Sequence, residues 1–571
     1  MDFLIRTAVW RHVATGWAAT TDTLIPLGLS SKYVTGTTMT DRSAHTLATR
    51  VGAVRDRMHG LDRRHLVVLS VLVLVGVYVR LRALGAPPLW IDEAHTSWAA
   101  RNFLNGQGFS DAVGPSSPYR RAWLTTSLPI AGSFAVFGIS EFAARLPVVA
   151  YGVLAIPIAY LLGARFDRIL GYLLAAFVAL DPFIVVWTRT ARMYGPLLFV
   201  YLASVYVILR WYDADFRFRS PYPFVLAVLV AAGMNTQQSY LALGAATGVF
   251  LVVVLLSQMW ASEELTWDSF DGTTKRMLVL VVAGGLAAAG FLVVRGFPSI
   301  VTAPAPEAWP ERGLTYYWSL FGREYLFLRV LALGGAVYAW ARYEAARLVV
   351  LAFVVPFVVA SITPRKAPRY VVHLVPLLGF LGLLPIADGF RLAWDQVTED
   401  VESVGIGSLA VASLGPLFVI LLVASPLAGF AVADSPYNPP YQPERSDWGA
   451  ASEWLEGQAE ADDVIVSTRP ELSMWYFGRT EYFFRQRGLE AVVERDGEFV
   501  HSRTGTVFLN ETANVERLVD GDRDVWIFAG KKFEERFTDP AARAIIEDHF
   551  ERRGDPTWKN VMLHYIAAGK S

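Results

Sequence analysis

Long apolar runs separated by short polar links dominate the chain from residue 66 to residue 431. A helix rises 1.5 Å per residue, so about 20 apolar residues cross roughly 30 Å of hydrocarbon. The pattern predicts crossings near 66–84, 147–163, 169–187, 195–210, 222–238, 241–260, 277–295, 326–341, 347–362, 371–388 and 406–431. A twelfth apolar stretch, 122–138, either crosses or lies along the surface, and that choice sets the orientation of everything after it. Short cytoplasmic loops collect Lys and Arg. Arg50, Arg55, Arg57, Arg63 and Arg64 before the first run therefore put the N-terminus inside. With 122–138 lying flat, Arg165 and Arg168, Arg217 and Arg219, Lys275 and Arg276, Arg342 and Arg347, and Arg391 all fall inside too. Residues 86–146 are then one long outer loop carrying a re-entrant or interfacial helix. The chain after Phe430 ends outside.

That last stretch changes period. VIVS (464–467), EYFF (481–484), TVFLN (506–510), VWIF (525–528) and VMLHYI (561–566) read as strands, with helices near 448–457, 515–520 and 540–550. The alternation predicts a small parallel or mixed sheet covered by helices, without a glycine-rich nucleotide fingerprint. The first 60 residues are rich in Ser and Thr and lack a sustained apolar period; translation from Met39 stays open. The expected division is a cytoplasmic, disordered tail at 1–64, a transmembrane domain at 65–431, and an extracytoplasmic α/β domain at 432–571.

Composition narrows the class. Of 571 residues, 54% are hydrophobic and 18% charged, too apolar a mixture for soluble domains. The net charge of −1 hides an asymmetry: residues 432–571 hold 26 acidic and 17 basic side chains. An acidic tail behind a mildly basic membrane part argues against a nucleic-acid partner. Cysteine is absent, which excludes thiolate chemistry, disulfides and cysteine-bound metals.

Chemistry is concentrated in the predicted outer loops. PPLWIDEAHTSWAARNFL (87–104) places Asp92 and Glu93 just past the first crossing, where an acid pair either caps a helix or supplies a base. TRTARMY (188–194) sets Arg189 and Arg192 in a second outer loop, and PRKAPRY (364–370) sets Arg365, Lys366 and Arg369 in a third. One cation there would anchor a lipid headgroup. Two clusters against the charge rule point to an anion held at that level, and a lipid phosphate is the natural candidate. A sugar on a lipid phosphate already has a good leaving group. Its transfer needs a base for the acceptor hydroxyl and cations for the departing phosphate.

WIDEAHTSWAARNFL, SEFAARLPVVAYGVLAIPIAYLLGARF (140–166) and ALDPFIVVWTRTARMYGPL (179–197) resemble the GT-C type glycosyltransferases of the protein O-mannosyltransferase and aminoarabinose transferase group. The resemblance implies a polytopic α-helical membrane protein of about 11 transmembrane helices with a C-terminal extracytoplasmic α/β domain. It implies an inverting transfer of one sugar, mannose as first guess, from a polyprenyl or dolichyl phosphate donor. The implied acceptor, at the outer face of the cell membrane, is a glycoprotein, glycan or glycolipid. A lipid-linked sugar flippase is the rival, disfavoured by the lack of an internal repeat. Asp92, with Glu93 beside it, maps onto the acidic residue taken as the catalytic base. Arg189, Arg192, Tyr194, Arg365, Lys366 and Arg369 map onto the donor-phosphate side, with Tyr370 adjoining. The chain departs from the group in three places. Thr190 stands where relatives carry Glu, which weakens a two-carboxylate metal site and leaves a divalent cation open; Asp181 either substitutes for that acid or caps its Asp-Pro turn. SSPYRRAW (116–123) lacks the usual His-Pro-Pro or Lys-Pro-Pro, so Arg120 or Arg121 takes that cation's place. The WWD motif of oligosaccharide transfer to Asn is missing.

Overall fold

The computed structural model describes residues 63–114, 118–261, 270–295, 312–399, 445–484, 491–509, 512–530 and 539–569. Residues 1–62 of the predicted tail at 1–64, and the predicted crossing at 406–431, lie outside these. Residues 67–571 form one compact unit.

Helices build the larger part. In chain order they are α1 (Arg63–Leu81), α2 (Ile91–Leu104), α3 (Leu128–Phe137), α4 (Glu141–Ala164), α5 (Arg168–Leu180), α6 (Pro182–Trp187), α7 (Tyr194–Asp213), α8 (Tyr222–Thr236), α9 (Leu241–Ala261) and α10 (Gly272–Arg295). They continue with α11 (Tyr316–Glu324), α12 (Leu326–Arg342), α13 (Ala346–Ile362) and α14 (Val375–Glu399). Among the described residues, four helical segments are long and apolar enough to cross a membrane: Glu141–Ala164, Tyr194–Asp213, Gln238–Trp260 and Pro368–Ala393. Shorter apolar helices stand beside them, His65–Leu81 and Ala346–Ile362 among them. Large apolar side chains such as Leu74, Phe224 and Val337 face outward, as lipid-facing positions do.

The predicted crossing 169–187 is divided. Asp181 leaves the helix, and its carboxylate accepts from the Ile184 amide at 2.8 Å, capping α6 after Pro182. The open carbonyls at the end of α5 are met by Arg80, fully buried on α1, which donates to Val178 at 2.8 Å and Ala179 at 2.9 Å. An arginine inside a bundle is tolerated because every donor finds an acceptor.

Stretch 122–138 is short for a crossing. It opens with a π-helical turn, Trp123–Ser127, and α3 adds ten residues, about 15 Å of rise. Tyr119 before it and Glu141 after it both meet the same end of the bundle, through Arg192 and Tyr476 respectively.

The C-terminal part adds α15 (Trp448–Glu456), β1 (Val464–Ser467), α16 (Pro470–Tyr476), β2 (Tyr482–Phe484), β3 (Val492–Arg495), β4 (Glu498–His501), β5 (Val507–Leu509), α17 (Thr512–Val519), β6 (Val525–Gly530), α18 (Pro540–His549), β7 (Glu551–Arg553) and β8 (Val561–Ile566). They form one eight-stranded sheet in the order β3-β4-β5-β2-β1-β6-β8-β7. The centre, β5-β2-β1-β6, is parallel and both flanks are antiparallel. A parallel or mixed sheet was expected; it is mixed, and the five predicted strands are all present. β3, β4 and β7 were not predicted. β7 is Glu-Arg-Arg, charged as an edge strand often is.

Candidate active site

Three connections meet at one end of the helical bundle: the segment after α1, the α6–α7 loop, and the 3-10 turn Pro368–Leu374 before α14. Each was singled out in the sequence for its charges. The fold decides which of those charges face one another.

Asp92 and Glu93 are the second and third residues of α2. Successive helical side chains are turned about 100° apart, so two adjacent acids cannot share one environment. Glu93 turns into the protein and is fully buried. Its Oε1 accepts from Arg145 Nε at 2.9 Å and the Ala191 amide at 2.8 Å. Its Oε2 accepts from Arg145 Nη2 at 3.0 Å, the Trp90 amide at 3.0 Å, and Arg445. Burial alone would raise this carboxyl, but Arg145 and Arg445 outweigh it and hold it far below the usual carboxylate range. Both oxygens of Glu93, expected beside Asp92 in catalysis, are thus committed to donors of the fold and clamp it together. Arg145, from the RLP segment, also donates to the carbonyls of Leu84, Pro87 and Pro88, fixing the chain that delivers α2.

Asp92 is 27% exposed. Its Oδ2 lies 3.7 Å from Arg192 Nη2 and 3.9 Å from Arg369 Nη2. Burial again works to raise its pKa, but Arg192 and Arg369, then His95 and Arg121, pull it below 3.8. Arg192 is itself held: its Nη1 donates to the Asp92 carbonyl at 3.0 Å, Thr96 Oγ1 at 2.9 Å and the Tyr119 hydroxyl at 2.5 Å. Arg369 lies over the rings of Trp90 at 4.9 Å and Tyr370 at 5.3 Å. Tyr194 stands within electrostatic reach of Arg369, Arg192 and Asp92. One carboxylate, two guanidiniums and three tyrosines thus come together from four parts of the chain.

The other expected residues fall elsewhere. Arg189 donates to the carbonyls of Arg80 at 2.8 Å and Arg82 at 2.5 Å, so it terminates α1 instead of facing an anion. Asp181 also accepts from the Tyr325 hydroxyl at 2.9 Å and is a helix cap, not a second site acid. Arg365 and Arg120 are exposed. Arg121 is exposed but near enough to act on Asp92. Lys366 is buried, which pushes its amine below 10.5. Among the described residues no group of three or more His, Asp or Glu is arranged to hold a metal ion.

The sequence reading missed the contribution of the sheet. The turn after β1 carries Arg469 within electrostatic reach of Asp92. From α16, the Tyr476 hydroxyl accepts from the Leu89 amide at 2.7 Å and donates to Glu141 at 2.9 Å. Trp98 Nε1 donates to the Glu471 carbonyl at 3.4 Å. Glu471 Oε1 lies 3.3 Å from His501 Nε2 and 3.9 Å from His95 Nε2, and His95 Nδ1 lies 3.6 Å from Asp111. The domain is therefore seated directly on α2. The only sequence signal for this was the unusual density of polar residues along α2.

A bundle of apolar helices with a charged cleft at one end and an α/β domain seated over it has the architecture of the GT-C type. Its solved counterparts are distant in sequence but close in extent. ArnT from Cupriavidus metallidurans bound to undecaprenyl phosphate matches with a TM-score of 0.54 and 15% identity over 88% of this chain and 98% of that one. The apo state of the same protein gives 0.53 and 16% over the same shares. The apo oligosaccharyltransferase of Archaeoglobus fulgidus gives 0.53 and 11% over 83% of this chain and 70% of that one. The family model for dolichyl-phosphate-mannose-protein mannosyltransferase matches residues 122–268. No curated protein sequence matches the chain. The chain thus has the GT-C fold and is a membrane protein, as its resemblance implied.

Proposed function

We propose that this protein is an inverting glycosyltransferase that takes one sugar from a polyprenyl or dolichyl phosphate and gives it to an acceptor hydroxyl at the outer membrane face. One observation carries the reading: the partly exposed carboxylate of Asp92 faces Arg192 and Arg369 across 3.7 and 3.9 Å, although the three lie far apart in sequence.

The reaction is a single displacement. The acceptor oxygen bonds to the anomeric carbon while the carbon–oxygen bond to phosphate breaks, and the electron pair leaves with the phosphate. Asp92 takes the hydroxyl proton. Arg192 and Arg369 meet the charge that grows on the phosphate, where preorganised donors contribute most. A carboxylate kept ionised by two cations is a weak base in the empty site. Donor phosphate drawn between the cations offsets their field, so the carboxylate becomes more basic once the donor is bound. The undecaprenyl phosphate held by ArnT supports a lipid-phosphate donor. Mannose is the first choice of sugar because the matched family is named for it. The Arg and Lys bias of the opposite loops supports an exterior site.

Asp92→Asn in the purified full chain is expected to abolish transfer from dolichyl phosphate mannose while leaving donor binding within a few-fold. Turnover at the wild-type rate would remove Asp92 from the base role. Lipid-phosphate sugar scrambled across vesicles by the wild type without any acceptor would replace the proposal with transport.

A further inference from the structure

A π-helical turn, Trp123–Ser127, lies beside the site. π-turns are rare and recur at functional places. This one begins after Ala122, a buried residue at φ 50°, a left-handed conformation that a β-carbon disfavours. It follows closely on Tyr119, whose hydroxyl holds Arg192, and it packs on α2, α3 and α8.

Opposite it stand the last residues of α8 and those that follow, Asn235 to Ser239. They meet the π-turn in a polar seam. The Leu124 amide donates to Asn235 Oδ1 at 3.1 Å, and Thr236 Oγ1 donates to Thr125 Oγ1 at 2.9 Å. Around these two bonds, several polar atoms are buried without a partner among the described residues: Thr126 Oγ1 and Ser127 Oγ on the turn, Gln237 Oε1 and Ser239 Oγ on the segment facing it. Thr126 is 1% and Ser127 0% exposed. Native proteins seldom leave buried polar atoms unpaired, so these four, on two touching segments, carry hydrogen-bonding capacity that the described residues do not use.

The chemistry of the four specifies the ligand. None is charged, so the seam does not select an ion. Three are hydroxyls that both donate and accept, and the fourth is an amide oxygen that only accepts. A polyol satisfies that set, since each of its hydroxyls also does both. We infer that the seam between Trp123–Ser127 and Asn235–Ser239 is a subsite for the hydroxyl edge of an uncharged sugar ring, and that Thr126 and Gln237 determine which ring is accepted. This rests on the glycosyltransferase reading for the origin of the ring, which belongs either to the donor or to the acceptor.

Thr126→Val and Gln237→Leu remove the hydrogen-bonding atoms while roughly keeping size. The probes are dolichyl phosphate mannose, dolichyl phosphate without a sugar, and whichever acceptor supports transfer, all with the full chain in nanodiscs. If the ring is the donor's, each variant binds dolichyl phosphate mannose about tenfold more weakly and dolichyl phosphate unchanged. If it is the acceptor's, donor binding stays and the acceptor KM rises by a similar factor. Variants with wild-type melting curves and no change in either arm would overturn the subsite. So would an equal loss for dolichyl phosphate with and without its sugar, which marks a merely structural seam. A wild type that binds the sugar-bearing lipid better than the bare lipid yet transfers nothing would sink the glycosyltransferase reading while leaving the subsite's donor arm measurable.

Discussion

At the scale of single residues, adjacency in sequence proved a poor guide to shared work. Asp92 and Glu93 differ only by a helical step, yet one faces a cleft and the other is saturated by five donors. Two outcomes follow from that division. Arg145→Ala leaves Glu93 buried without its bidentate partner, and breaking such a pair costs about 3–5 kcal/mol; a large drop in the thermal midpoint of the detergent-solubilised protein checks it, and an unchanged midpoint would refute the clamp. Asp92 behaves differently. Its carboxyl sits below 3.8 because Arg192 and Arg369 overcome the effect of burial. With Asp92 as the proposed base, activity is expected to need the ionised form and to fall as pH drops through that pKa. Bound phosphate weakens the arginines' pull, so the acid limb of kcat is expected at higher pH than that of kcat/KM. Coincident limbs would show that phosphate does not lie between the cations and the acid.

At the scale of elements, the site depends on how closely helices approach beneath it. α4 passes under the α6–α7 loop at Gly152, where a β-carbon would stand 2.6 Å from Thr188 Cβ and 3.0 Å from Arg80 Nε. Thr188 is also the acceptor for Arg80 Nε at 3.0 Å. Gly152→Ala must push Thr188 and with it the loop that carries Arg192, an overpacking cost of about 1–3 kcal/mol. The expected result is a lower melting temperature together with a fall in transfer rate; loss of neither would show that the loop is set elsewhere. Periodicity made most helices and the parallel core of the sheet visible beforehand. It did not show the break at Asp181, because hydropathy averages across a cap, nor the β3–β4 hairpin, although its Asp496-Gly497 turn, both residues at positive φ, is the usual signal for one.

At the scale of the whole molecule, the sheet domain is seated on the bundle through a cluster of charged side chains. Glu471 lies between His501 and His95 at the contact of α16 with α2, with Arg469, Arg503 and Asp111 around it. Burial works to raise its pKa, but the two histidines hold it well below 4.5. A depressed carboxyl contributes stability above its unfolded pKa and loses it as pH falls through the folded one. Acidification below about 4.5 is therefore expected to loosen the seat of the domain before the bundle melts, seen as loss of hydrogen-exchange protection in α2. Glu471→Gln should abolish that pH dependence, and protection that stays constant down to pH 3 in the wild type would refute it. The sequence alone determined the membrane class, the alternation of strands and helices after residue 445, and the loops that carry charge, because each is a property of local composition and period. Only the tertiary structure decided that Asp92, Arg192 and Arg369 share a cleft while Arg189, Glu93 and Asp181 hold the scaffold. Whether a charged group works or supports depends on which distant carbonyls and carboxylates packing brings to it, and no local pattern encodes that.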